Sequence, residues 1–222
     1  MHQLTEIALE RAVAGIFTRS EVVCWVGGSA NRQFGLLKRA MKAGEVLRIH
    51  RGLYCLASKY LRQQVDPLVL AQRICGPSYV SLETALSYHG WIPEAVYTVT
   101  SVSLGRSREF DTPLGNFSFT CVPQHTFYTE VARVVKDGSG DGGGSCERGG
   151  SFLLASPLKA LADYVYVHKC DWDSPRPIVE SLRVDKGALA GLNASSIETL
   201  RANYSSRRVR RFLDGLRKGL KL

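Results

Sequence analysis

At 222 residues, 45% hydrophobic and 22% charged, the chain has the composition of an ordinary soluble globular protein and enough length for two cores. Its 29 Lys and Arg exceed its 20 Asp and Glu, a formal net charge of +9 that favours a polyanionic partner. No apolar run approaches the roughly 20 residues that span a bilayer, and Met1-His2-Gln3-Leu4-Thr5-Glu6 lacks the basic and apolar regions of an export signal, so no membrane association is expected and the cytoplasm is the expected compartment.

The charge is unevenly spread. Residues 1–62 hold ten Lys or Arg against four Asp or Glu, residues 63–200 eleven against fifteen, and residues 201–222 eight against one. Both ends are basic and the middle is not, which argues against a chain that coats nucleic acid along its whole length. The six cysteines, at 24, 55, 75, 121, 146 and 170, include no C-x-x-C pair, and the five histidines are scattered. Reduced thiols are expected, without a disulfide scaffold, a metal site or a cofactor.

In chain order, Thr18 followed three residues later by Glu21 has the form of a capping box and predicts a helix that Gly27-Gly28 stops. Ser29 offers the N-cap of a second helix running to Gly44. Two short helices joined by a glycine turn have helix-turn-helix spacing. In the second, Phe34, Leu37 and Met41 recur at helical intervals as an inner face, which leaves Asn31, Arg32, Gly35, Lys38, Arg39 and Lys42 outward. Val46 to His50 alternates, a turn falls at Arg51-Gly52, and Leu53 to Leu56 returns as the second strand of a wing.

Residues 1–62 therefore read as a winged helix-turn-helix DNA-binding domain. Its expected contact residues are Ser29, Asn31, Arg32, Lys38, Arg39 and Lys42 on the second helix, with Arg48, His50 and Arg51 on the wing. Arg can bridge guanine O6 and N7, Asn can bridge adenine N6 and N7, and recognition helices present their N-terminal residues to base edges. A wing tip touches phosphate or reaches into the minor groove.

Residues 63–222 read as a larger mixed domain, which makes the fold class α+β. A helix is predicted from Asp66-Pro67 to Cys75, ended by Gly76-Pro77, and another opens at Ser81, with Leu82, Ala85, Leu86 and His89 inward and Gly90 as its stop. Residues 96–103, 109–112, 117–122 and 130–135 are β-type runs separated by turn residues and predict an antiparallel sheet. Residues 137–150 contain seven glycines and no large apolar side chain, the composition of a flexible loop; no Gly-Lys-Ser/Thr element follows in P-loop register. Phe152 to Ala155 reads as a further strand, and Ser156-Pro157 opens a helix to about His168 that buries Leu158, Leu161, Ala162 and Val165. Helices follow over 177–184 and 195–204, the latter capped at Ser195-Ser196. The last helix has an apolar stripe of Val209, Phe212, Leu213, Leu216 and Leu220, and its Arg207, Arg208, Arg210 and Arg211 form a candidate additional basic contact surface.

Three segments, Arg51-Gly52-Leu53-Tyr54-Cys55-Leu56, Tyr79 through Gly90, and Ala155 through Asp163, occur in an order and spacing that resemble the AbiEi family, the antitoxins of type IV toxin-antitoxin systems. The resemblance implies a transcriptional repressor that binds an inverted-repeat promoter operator in double-stranded DNA and autoregulates its operon. It also implies a C-terminal domain that counters a nucleotidyltransferase toxin, without requiring a stable complex. Ser81, Glu83, His89, Lys159 and Asp163 fall in the family-like segments; by spacing alone Ser81 and Ser156 read as helix caps, and Lys159 with Asp163 as an intrahelical ion pair.

Other classes are a stand-alone regulator without a toxin, an interaction module for an acidic protein, and a winged-helix-guided nuclease or nucleotide-processing enzyme. The last would recruit Glu83, His89, Asp111, Glu130 or Asp163, yet no two acids have the local spacing of a metal-dependent nuclease and no nucleophile has a readable base. No catalytic residue is assigned and no enzyme activity is expected.

Overall fold

A computed structural model describes residues 1–61, 63–136 and 150–222. Arg62, at the expected domain boundary, and the glycine-rich run, Gly150 apart, lie outside the described residues. The chain forms two compact units, one of Met1–Ile74, Phe110–Gly115 and Val135–Ser151, the other of Cys75–Glu109, Asn116–Val134 and Phe152–Leu222.

The first unit begins with a helix that the sequence reading does not include, α1 (Gln3–Arg11), which buries Leu4, Thr5 and Ala8. Strand β1 (Ile16–Thr18) leads into α2 (Arg19–Val26), and the capping box is present: the Glu21 amide donates to Thr18 Oγ1 at 3.2 Å and the Thr18 amide donates to the Glu21 carboxylate. Gly27 and Gly28, both at positive φ, make the turn into α3 (Ala30–Lys42). Ser29 caps α3 by accepting from the Arg32 amide. At the other end Gly44 takes φ +65, the Gly44 amide donates to Met41 and the Glu45 amide to Ala40, the paired bonds of a Schellman close.

The inner face of α3 is rotated from the expected one. Leu36, Leu37 and Ala40 are buried and Met41 half-buried, whereas Phe34 stands 57% exposed. Both registers satisfy three- and four-residue spacing, and packing against Leu4, Ala8, Phe17, Val22 and Tyr54 selects between them. Strands β2 (Val46–His50) and β3 (Leu53–Leu56) form the expected hairpin, and β1 joins them in a three-stranded sheet of order β1-β3-β2 with antiparallel pairs. A register shift between Arg48 and His50 bends the hairpin. A 3₁₀ turn (Ser58–Tyr60) and α4 (Pro67–Ile74) follow.

The remaining strands are β4 (Ser78–Val80), β5 (Thr98–Ser103), β6 (Arg108–Thr112), β7 (Gly115–Cys121), β8 (Val131–Val135) and β9 (Ser151–Ala155), in a six-stranded sheet of order β6-β7-β5-β4-β9-β8. The sheet is mixed rather than antiparallel. β4 pairs antiparallel with β5, but β5 runs parallel to β7 and β4 parallel to β9. The cause is chain routing: after β5 the chain passes to the edge as β6 and returns as β7 beside β5, in the same sense. β4, three residues long, is too short to show a period in the sequence.

Helices α5 (Leu82–Tyr88), α6 (Pro157–Val167), α7 (Arg176–Ser181), α8 (Lys186–Ala190), α9 (Ala194–Asn203) and α10 (Arg207–Leu220) complete the second unit. α6 packs on α5, α9 and α10, burying the expected Leu158, Leu161, Ala162 and Val165. Three local expectations are corrected. His89 is exposed beyond the end of α5 because Gly90 turns the chain there. Ser81 precedes α5 but its hydroxyl makes no cap bond. Asn193, not the Ser195-Ser196 pair, caps α9, its Oδ1 accepting from the Ser196 amide at 2.7 Å.

Candidate nucleic-acid interface

α3 carries Arg32, Lys38, Arg39 and Lys42 and contains no Asp or Glu, so its cations have no carboxylate on their own helix. Asn31, Arg32, Lys38, Arg39 and Lys42 are exposed, as are Arg48 and Arg51 on the hairpin. Among the described residues none of these six cations enters an ion pair, while Glu21 in the same unit is taken by Arg73 of α4 at 2.9 Å. The Thr18 and Arg73 bonds hold the Glu21 carboxylate below its ordinary pKa against the opposing effect of burial, which raises it. Exposed cations without ion pairs among the described residues raise the local positive potential, which a polyanion would neutralise.

The elements that carry these residues are tied together by hydrogen bonds. Gln33 Nε2 donates to the carbonyls of Gly27 and Gly28, tying the start of α3 to the turn before it, and the Arg19 amide donates to the Gly52 carbonyl, tying the start of α2 to the hairpin turn. Gly28 also gives room to Arg32, whose Cδ lies 3.3 Å from where a Cβ would stand. The buried Glu45 carboxylate accepts from Thr5 Oγ1 at 2.6 Å and the His2 amide at 2.9 Å, fastening the first helix to the base of the hairpin; those bonds pull its pKa down to about 2.

Residues 5–57 match the family described as "Transcriptional regulator, AbiEi antitoxin". The AbiEi match covers α1 through β3, hence α3 and the hairpin, and ends before the Tyr79–Gly90 and Ala155–Asp163 segments. No curated protein matches the chain.

The other sequence-singled residues divide sharply. Ser29 is exposed and its hydroxyl is committed to the helix cap. His50 is half-buried, with its ring 5.5 Å from that of Phe110 and its Nε2 shielded, without a hydrogen-bond partner among the described residues. On α10 the arginines are partly engaged: Arg208 and Arg211 share the single Asp171 carboxylate at 3.2 and 2.9 Å, Arg210 Nε donates to the neutral Tyr204 carbonyl at 2.6 Å, and Arg207 is exposed without such a bond among the described residues. Arg201 and Arg217 pair with Asp214 and Glu198. Opposite charges within reach therefore distinguish α10 from α3.

The Tyr79–Gly90 and Ala155–Asp163 segments of the second unit converge on a sealed polar core. Lys159 and Asp163 are fully buried on α6, with Lys159 Nζ donating to Asp163 Oδ1 at 3.0 Å, to Gln124 Oε1 at 2.6 Å and to the Tyr204 hydroxyl. Asp163 also accepts from the hydroxyls of Tyr204, Tyr79 at 3.0 Å and Ser81 at 2.8 Å. All three ammonium donors are used and each carboxylate oxygen accepts twice, so the cluster is saturated. Burial lowers the Lys159 pKa and raises those of Tyr79 and Tyr204, with the Asp163 charge raising the two tyrosines further. The Lys159 and Asp163 spacing is legible in sequence; the four partners from other elements are not.

Of the residues that an enzyme would recruit, Glu83 holds His168 at 2.7 Å, His89 Nε2 contacts the Ala155 carbonyl at 2.9 Å, and Glu130 accepts from the Ser196 hydroxyl at 3.0 Å. Each of these has a different partner, and Asp163 is saturated. Asp111 is exposed in the first unit. Among the described residues no group of three or more His, Cys, Asp and Glu side chains is arranged to hold a metal ion, and no helix is long and apolar enough to cross a membrane.

Proposed function

We propose that α1 through β3 form a winged helix-turn-helix whose α3 lies in the major groove of double-stranded DNA, and that the chain is an autoregulating transcriptional repressor and type IV antitoxin. The observation that carries the reading is the set of six exposed cations, Arg32, Lys38, Arg39, Lys42, Arg48 and Arg51, without ion pairs among the described residues and inside the segment that matches the AbiEi regulators. Asn31 and Arg32 read base edges from the N-terminal end of α3, and Arg51 at the hairpin tip contacts phosphate or minor groove. Residues 63–222 oppose a nucleotidyltransferase toxin without catalysis of their own or a cofactor, and without requiring a stable complex.

The test is binding of the full chain to a labelled duplex spanning the promoter of its own operon. Six cations meeting six phosphates give an upper slope of about −5 in log affinity against log salt. No duplex binding at about 50 mM salt, where such contacts are strong, rejects the repressor reading. The antitoxin reading requires that coexpression of the chain restore growth to cells poisoned by a nucleotidyltransferase encoded beside it; unrelieved toxicity rejects it.

A further inference from the structure

Phe34 is a large apolar side chain left 57% exposed on a helix that buries Leu36, Leu37 and Ala40. It lies one turn after Asn31 and one turn before Lys38, on the edge of the outward face, among cations that have no carboxylate partner among the described residues. A surface serving phosphates alone gains nothing from an aromatic ring at that place, since leaving such a ring in water is unfavourable. The unpaired charge around it also repels a second copy of the same face.

We propose that Phe34 is a specificity-determining residue that reads thymine by packing its ring against the base's 5-methyl group. The inference rests on the DNA-binding reading above and adds the base that the helix selects. Of the four bases in the major groove, only thymine offers an apolar group, and aromatic or aliphatic side chains are its complement. Asn31 and Lys38, one turn to either side, supply an amide for a neighbouring base edge and an ammonium for phosphate, so the ring faces the groove floor when they are engaged.

The experiment selects duplexes from a random-sequence pool with the full chain, then remakes the winning duplex with each thymine replaced in turn by deoxyuridine, which removes only the methyl group. The wild type is expected to lose about three- to fivefold in affinity at one thymine, the loss that one unburied methyl group implies. Phe34→Ala is expected to lose the same factor on the thymine duplex and nothing further when that base is deoxyuridine. The inference is overturned if the wild type is indifferent to every replacement, or if Phe34→Ala retains the sensitivity. It is equally overturned if Phe34→Ala abolishes self-association in sedimentation while leaving the methyl effect in place. Steep salt dependence without methyl discrimination removes the role of Phe34 alone, whereas failure to retain any duplex at low salt removes the DNA-binding reading with it.

Discussion

Asp163→Asn removes one charge from the sealed core of the second unit while changing almost no volume. In the wild type the buried Lys159 ammonium has an opposite charge 3.0 Å away, and burial already holds its pKa below the ordinary lysine value against the pull of Asp163. Without the carboxylate the ammonium is buried beside neutral groups only, and breaking a buried pair from one side costs about 3–5 kcal/mol. At about 2–4 °C per kcal/mol for a chain of this size, the thermal midpoint falls by about 6–20 °C. The folded pKa of Lys159 is then driven further below its unfolded value of about 10.4, so the native state is penalised by having to release a proton. That penalty shrinks as pH rises toward the unfolded value, by up to about 1.4 kcal/mol per pH unit. Urea unfolding followed by circular dichroism at about pH 7, 8 and 9 should therefore show the deficit of Asp163→Asn narrowing with pH. Lys159→Met combined with Asp163→Asn leaves no buried amine and should lose that slope. A deficit under about 1 kcal/mol, or one that is equal at all three pH values, refutes the account of a charge sealed in a saturated network.

Three further outcomes test other parts of the molecule. Lys38→Ala should lower the salt slope of DNA binding by about one and weaken all sequences alike, while Arg32→Ala should cost about 1–3 kcal/mol at one base position and relax the preference there, both read by fluorescence anisotropy. The Glu45 carboxylate, held down to about 2, contributes stability that is full above its unfolded pKa of about 4.3 and is lost as the pH falls through the folded value. Glu45→Gln should remove that acid step from a circular-dichroism titration, and an unaltered step would assign it to another group. Gly215→Ala is a contest of signs on α10: alanine for glycine in a helix interior gains about 1 kcal/mol, but a Cβ at 215 would stand 1.8 Å from the Asp173 carbonyl oxygen. Overpacking against backbone costs about 1–3 kcal/mol, so the midpoint should fall, and a rise would show that Asp173 moves freely.

Local features were readable because their partners lie within a few residues. Thr18 and Glu21, Ser29 and the Arg32 amide, Gly44 at positive φ, the β2–β3 hairpin and the apolar stripes of α6 and α10 all follow from spacing. The inner face of α3 was misread because two overlapping sets of apolar residues fit one helical period, and only the core beneath chooses between them. α1 opens at His2, which makes no side-chain cap bond, so it lacks a start signal in the sequence, and the orientation of β7 and β9 depends on routing that no local pattern encodes.

By itself the sequence determined where the helix caps and turns fall, that α3 is basic without an acid, and that Lys159 and Asp163 face one another across a helical turn. Those properties depend on covalent neighbours and helical pitch alone. Tertiary structure decided that Phe34 faces solvent, that Arg208 and Arg211 of α10 are held by Asp171 while those of α3 have no carboxylate partner among the described residues, and that Tyr79, Gln124 and Tyr204 close around the buried pair. Each of these requires a group tens of residues away in the chain to arrive within bonding or packing distance, and such distances exist only once the core has formed.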